Sequence, residues 1–261
     1  MTDIRGKVVW VVGASRGIGQ AVAIASSKYR PKKIIISGRD KDLLNITAQK
    51  TGSVPTTICP LDVTSRVSID TAIANIFGNK ESENLDIILV YSSGVSQRSL
   101  ALDTNLSVTR SLMEVNFFGL LEIMDSIKEC AGILPVHLVV MSSLVGKFGT
   151  SERSSYSASK HALHGYLESM RAETRKKPFK ITIVCPGYVN TGITLRSLTA
   201  NGDKFNVIEE RIKRGMSPEV CGKKICRAIT HNRPEIIIGG FERFAVPISR
   251  YFPSLFRFLV P

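Results

Sequence analysis

The sequence predicts an α/β protein built on a parallel sheet with helices packed on both faces. Two observations lead there. Short β-rich apolar runs alternate with longer segments of helical period, the rhythm of strands joined by helical crossovers. The strand runs, such as KIIIS, LDIILVY and VHLVVMS, are continuously apolar rather than alternating, so neither face of the sheet is left to water.

The elements follow in order. Residues 7–12 form the first strand and pass through glycines into a helix over 17–28. Residues 33–37 are the second strand and 40–51 the second helix. A weaker strand over 56–60 precedes a helix over 66–78. Strong strands fall at 85–91 and 136–142, with 104–130 between them as one long helix. Another long helix covers 155–177, and another strand 180–185. Ser217-Pro218-Glu219 starts a helix, because serine caps free amides, proline suits the first turn and glutamate complements the dipole. A short strand over 235–238 closes the sheet. No linker or repeat interrupts the pattern, so residues 1–261 read as one domain with a lid segment at 192–216 and a basic aromatic tail at 241–261.

Composition sets the outer bounds. The chain has 261 residues, is 43% hydrophobic and carries a net charge of +13, which argues for a globular protein attracted to anions. Five cysteines without CxxC spacing exclude a disulfide framework or zinc cage and fit buried thiols in a reducing compartment. His137, His161, His164 and His231 show no metal-ligand spacing, so no metal is expected. The first residues hold no signal-peptide run, and no apolar stretch approaches the roughly 20 residues of a spanning helix. No nucleic-acid motif accompanies the basic charge.

The first strand-to-helix turn reads Val12-Gly13-Ala14-Ser15-Arg16-Gly17-Ile18-Gly19. Gly13 permits a tight turn, Gly17 lets backbone approach a pyrophosphate, and Gly19 allows close helix–strand packing at a helix N-terminus. The second strand ends Ser37-Gly38-Arg39, where an NAD site usually places an acid for the ribose. Arg39, helped by Arg16, suits a 2′-phosphate instead, so NADP(H) is the expected cofactor.

Ser154-Ser155-Tyr156-Ser157-Ala158-Ser159-Lys160 carries Tyr-x-x-x-Lys, which a helix places on one face a turn apart. A nearby ammonium favours the phenolate and brings tyrosine toward a useful acid–base range. Ser143, at the end of the preceding strand, falls close to the same point. Together with Gly13-x-x-x-Gly17-x-Gly19 and Pro186-Gly187, this order and spacing resembles the short-chain dehydrogenases/reductases over nearly the whole chain.

The resemblance implies a Rossmann-type, doubly wound sheet of about seven strands in the order 3-2-1-4-5-6-7. It implies that Tyr156 protonates the carbonyl oxygen, that Lys160 lowers the tyrosine pKa and holds the nicotinamide ribose, and that Ser143 binds the substrate oxygen. Asn116 matches a residue supporting a proton-relay water, Asp62 one facing the adenine, and Thr191 one binding the carboxamide. Ser15, Ile18, Gly94, Pro186, Gly187 and Val189 complete the cofactor contacts. One motif departs: Tyr91-Ser92-Ser93-Gly94 stands where the family has Asn-Ala-Gly, and Ser92 is shorter than the asparagine it replaces.

Within the family, the run Thr199-Ala200-Asn201-Gly202-Asp203-Lys204, Met216-Ser217-Pro218-Glu219 and the aromatic tail look like the "member seven" branch of the dehydrogenase/reductase proteins. That resemblance implies a hydrophobic, lipid- or steroid-like ketone or alcohol as substrate. It implies a cytoplasmic protein at the cytosolic face of an internal membrane such as the endoplasmic reticulum, a lipid droplet or a peroxisome. Family analogy adds a homo-oligomer. The tail, with six aromatics and with Arg243, Arg250 and Arg257 every seven residues, fits a lipid interface or packing on its own domain or a second copy. The rival reading of the whole chain is a membrane-associated scaffold that keeps the fold with little turnover.

Overall fold

A computed structural model describes residues 3–78, 85–131 and 136–259; the outer ends of the domain and tail assigned above lie outside the described residues. Its strands are β1 (Val8–Val12), β2 (Lys33–Gly38), β3 (Thr56–Pro60), β4 (Ile87–Tyr91), β5 (His137–Met141), β6 (Lys180–Pro186) and β7 (Glu235–Ile238). They form one seven-stranded sheet in the order β3-β2-β1-β4-β5-β6-β7, parallel throughout. The fold class and strand order are those the sequence implied.

The helices are α1 (Gly17–Ser27), α2 (Lys41–Lys50), α3 (Arg66–Phe77), α4 (Leu106–Met113), α5 (Gly119–Ala131), α6 (Ser154–Glu173), α7 (Glu210–Lys213), α8 (Pro218–Thr230), α9 (Ala245–Tyr251) and α10 (Pro253–Leu259). The continuous apolar strands are divided between two cores. Val8, Trp10 and Val12 of β1 pack with Ile73, Ile123 and Leu163 on one face. Val9 and Val11 pack with Val22, Leu44 and Ile225 on the other. Each such side chain contributes about 1.5–3 kcal/mol when fully buried. Trp10 is fully buried, and its indole N–H donates to Ser37 Oγ at 2.9 Å, so its one polar atom is satisfied.

Helix starts follow local chemistry. Asp40 caps α2 by accepting from the Leu43 amide, Ser65 caps α3, and Ser217 caps α8 with Pro218 at the first position. α1 is different: Arg16 stands at its N-cap and makes no capping hydrogen bond with its side chain.

Three expectations need correction. The helix expected over 104–130 begins at Leu106 and is broken by a π-helical turn over Glu114–Phe118. Apolar periodicity does not register one extra residue in a turn. The helix expected to reach Lys177 ends at Glu173, where Thr174 Oγ1 bonds back to the Met170 carbonyl, ahead of Pro178. Cys130 is exposed, whereas Cys59, Cys185, Cys221 and Cys226 are buried thiols.

In the tail, Pro247 and Pro253, residues that would break a helix interior, fall at helix starts. Pro253 opens α10, and Pro247 lies in the first turn of α9, where no amide donor is needed. Among the described residues, no helix is long and apolar enough to cross a membrane.

Candidate active site

The strand order reverses between β1 and β4, and in such sheets the crevice beyond the strand C-termini is where ligands sit. A cavity of about 1380 Å³ opens there. It exceeds the roughly 300–1,000 Å³ of a site for one drug-sized ligand, so it has room for two molecules side by side.

One wall is the turn after β1. Gly13 has φ +86, and a Cβ there would lie 2.6 Å from the Ser93 amide of the neighbouring turn. Its amide and that of Ala14 both donate to the Ser37 carbonyl, at 2.8 and 2.9 Å, which fixes the turn over the end of β2. A Cβ on Gly19 would meet the Gly13 carbonyl at 2.2 Å, so α1 starts tight against the turn. The uncapped first amides of α1 then face the cavity, a ready place for an anion. The residues therefore fit a dinucleotide pyrophosphate.

Gly13, Ser15, Arg16, Gly17, Ile18, Arg39, Asp62 and Gly94 line the cavity together with Ser143, Tyr156, Lys160, Pro186, Gly187, Val189 and Thr191. Two assigned residues do not. Gly19 lies beneath the turn, and Asn116 is fully buried behind Gly94. Asn116 accepts from the Val95 amide and donates to the Val95 carbonyl, both at 2.9 Å, and also donates to Ser159 Oγ. It thus ties the loop after β4 to the π-helical turn and to α6.

At the far end of β2, Arg39 is exposed at the cavity edge. The nearby acid Asp40 has both oxygens occupied: Oδ1 caps α2 and Oδ2 accepts from Arg16 at 3.1 Å. Asp62 is held by the Thr64 amide and hydroxyl at 3.0 and 2.8 Å.

The reacting end gathers at the C-terminus of β5. Ser142 turns inward and bonds His164 Nε2 at 3.0 Å, whereas Ser143 is half-buried on the cavity wall. Contrary to the lowering expected from Lys160, burial pushes the Tyr156 hydroxyl up to about 12, and the neighbouring Ser143 hydroxyl acts the other way. Lys160 lies beneath, its Nζ donating to the Met141 carbonyl at 2.7 Å and lying 5.8 Å from the Tyr156 ring centre. Burial lowers Lys160 to about 8. Tyr156 is therefore a neutral phenol at pH 7, able to give a proton, and Lys160 still carries charge.

The lid and tail close the remaining sides. From the lid, Ile193, Arg196 and Ile212 line the cavity, while Val207 and Ile208 are exposed. The tail folds over the mouth: Glu242 accepts from the Tyr188 amide at 3.1 Å, and the Phe256 ring packs 5.0 Å from that of Phe148. Sequence reasoning missed Phe148, whereas the tail's inward contacts follow one of its two readings, packing on its own domain. It also missed a cluster in which buried His164, exposed Glu168 and half-buried Glu235 come together, with Lys147 Nζ 2.5 Å from Glu235.

Comparison with known proteins agrees with this geometry. The family model described as short chain dehydrogenase matches residues 7–201. A Drosophila melanogaster dehydrogenase/reductase SDR family protein 7-like is 30% identical, covering 99% of this chain and 80% of its own. The Danio rerio dehydrogenase/reductase SDR family member 7B is 30% identical over 97% and 84%. Among solved structures, a Burkholderia cenocepacia short chain dehydrogenase in complex with NADP superposes with TM-score 0.80 at 20% identity, covering 100% of both chains. A Burkholderia phymatum short chain dehydrogenase/reductase in complex with NAD gives TM-score 0.82 at 17% identity, covering 98% and 96%.

Proposed function

The chain belongs to the short-chain dehydrogenase family, on the branch of the member 7 and 7B proteins, and from that premise we propose an NADP(H)-dependent reductase of hydrophobic ketones. The observation that carries this reading is the meeting of Ser143, Tyr156 and Lys160 on the same cavity as the glycine turn, with Lys160 Nζ 5.8 Å from the Tyr156 ring centre.

The Gly13 turn and the α1 amides would hold the pyrophosphate, Asp62 would face the adenine, and Thr191 with Pro186, Gly187 and Val189 would hold the nicotinamide end. When bound, the nicotinamide supplies or accepts a hydride. Ser143 holds the substrate carbonyl oxygen, and Tyr156 donates its phenolic proton to that oxygen. Lys160 keeps positive charge near the tyrosine oxygen as it becomes phenolate, which favours the transfer. Asn116 fixes the loop that backs Lys160. The preference for NADP(H) rests on Arg16 and Arg39 at the cavity edge and on the occupied oxygens of Asp40.

A hydrophobic substrate is supported by Phe148, Phe244, Ile248, Phe256 and Leu259 along the cavity. The tail also exposes Tyr251, Phe252 and Phe258, and Arg243, Arg250 and Arg257 are exposed along it. Aromatics with arginines match an anionic lipid surface, which would bring the cavity mouth to a source of apolar ketone. Sedimentation with phosphatidylserine vesicles tests this, and loss of binding in Arg250→Glu/Arg257→Glu is the expected result.

The cofactor reading is tested by titrating the protein with NADPH and NADH, following energy transfer from Trp10. NADPH is expected to bind more tightly, and Arg39→Ala to weaken it about tenfold while leaving NADH unchanged. Tighter NADH binding would contradict the assignment.

A further inference from the structure

Beside the reacting end of the cavity lies a charged cluster that the steps above do not use. Arg98 sits on the loop after β4, Arg153 is the residue before α6, and Glu209 is the lid residue that precedes α7. All three line the cavity that holds Tyr156. Both guanidinium groups address the same carboxylate oxygen, Oε2 of Glu209; the Arg153 bond is 3.0 Å. The Arg98 and Arg153 side chains are only 7% and 14% exposed, against 30% for Glu209.

The pairing is unbalanced. Two largely buried guanidinium groups share one carboxylate, and Arg98 Nε is buried without a hydrogen-bond partner. A buried cation is costly unless matched by charge and hydrogen bonds. One arginine would suffice to hold the lid. At the start of α7, the cavity-lining charges Glu210 and Arg211 offset each other, and Glu210 already accepts from Arg214 at 3.0 Å, while Arg196 of the lid adds a further positive charge to the cavity. The surplus at this end is therefore positive.

The arginines are also held in place. Gln97, next to Arg98, is fully buried; its Oε1 accepts from the Ser155 amide at 3.0 Å, and its Nε2 donates to Thr104 Oγ1 at 2.9 Å. The loop carrying Arg98 is thereby fastened to the start of the helix that carries Tyr156. The Arg98 amide bonds the Leu198 carbonyl of the lid at 2.7 Å. The fork is prepared before any ligand arrives, and Glu209 is its most exposed member.

We propose that Arg98 and Arg153 form an anion subsite for the substrate, occupied by Glu209 of the lid until a carboxylate or phosphate monoester on the ketone displaces it. The proposal rests on the ketone reductase reading and narrows it. The substrate is then amphipathic: an apolar chain against Phe148 and Phe256, a carbonyl at Tyr156, and an anionic group on the arginine fork. Arg–carboxylate and Arg–phosphate contacts are both bidentate in geometry, so the fork suits either group. Exchange of Glu209 for the ligand also releases the lid's ionic tether.

The test uses three probes of equal chain length on the intact protein: a ten-carbon keto acid, its methyl ester, and a ketone carrying a phosphate monoester. Binding is read first without turnover, as the ligand-induced rise in melting temperature, and then as KM with NADPH. The expected result is that at least one anionic probe binds about tenfold more tightly than the ester. Whichever anion binds better identifies the group. Arg98→Gln and Arg153→Gln should each erase the difference between anion and ester, and Glu209→Gln should strengthen anion binding by removing the competitor. Equal binding of all three probes, or weaker anion binding in Glu209→Gln, would overturn the proposal. If an arginine variant does not fold, the Glu209→Gln result decides. Anion-selective binding without reduction of any probe would leave the subsite standing and count against the reductase reading alone.

Discussion

The Tyr91 hydroxyl at the end of β4 donates to the Val115 carbonyl in the π-helical turn, at 2.5 Å. The π-helical turn also carries Asn116, which grips Val95 from the same side. The strand end and the loop after it are thus tied to one helical turn at two successive residues. This chain has Ser92 where its family has an asparagine, and the longer reach comes instead from the residue before it. Burial raises the Tyr91 hydroxyl well above its ordinary range, so it remains a donor at any working pH.

Tyr91→Phe takes the side-chain donor away from the part-buried Val115 carbonyl. The expected cost is about 1–3 kcal/mol, which lowers the melting temperature by several degrees. Thermal unfolding by circular dichroism measures it. An unchanged melting temperature would show that the tie carries no weight.

Gly13→Ala meets two obstacles at once, a positive φ of +86 and the Ser93 amide 2.6 Å from the new methyl group. The turn must shift, and the cofactor contact with it. The expected outcome is a lower melting temperature and at least tenfold weaker NADPH binding; a Gly17→Ala control, which shares the positive φ (+61) but whose Cβ would come no closer than 3.1 Å to Thr191, should lose less stability.

Acid should destabilise the fold in a defined window. Burial lowers both His137 and His164 to about 4 from the ordinary 6.5. Between those values the unfolded chain takes up protons that the folded protein refuses, so stability present above about 6.5 is lost as pH falls toward 4. The two shifts together are worth on the order of a few kcal/mol. Melting curves at pH 7, 5.5 and 4.5 should fall in that order, and imidazole resonances should show both rings neutral down to about pH 4.

The rate of ketone reduction should fall as pH rises through about 8, where Lys160 loses its charge, while Tyr156 at about 12 stays protonated. Lys160→Met should be slower than wild type at pH 7 and lose that step in its pH profile. A flat profile in the wild type between pH 7 and 9 would remove the charge from the account.

Much of this site is legible in sequence because its parts are local. The glycine turn is one strand–helix junction, and Tyr156 and Lys160 are one helical turn apart, so residue spacing fixes their relation. The π-helical turn is not legible, because its extra residue leaves the apolar pattern on either side intact. The fork is not legible either: Arg98, Arg153 and Glu209 come from three distant segments, and each alone reads as a solvated charge. In the tail, Pro247 and Pro253 suggest breaks, yet each falls where a helix begins. The inward face of Phe256 emerges only once α10 lies on Phe148.

The most direct test of the central claim compares wild type with Tyr156→Phe, measuring NADPH affinity and NADPH oxidation against a panel of hydrophobic ketones. The hydroxyl is the proton source, and general acid catalysis contributes about 10²–10⁴-fold. The expected result is equal NADPH affinity, turnover of at least one ketone by the wild type, and a loss of at least about a hundredfold in the variant. Turnover that survives loss of the hydroxyl, or a wild type that binds neither NADPH nor NADH, would contradict the account.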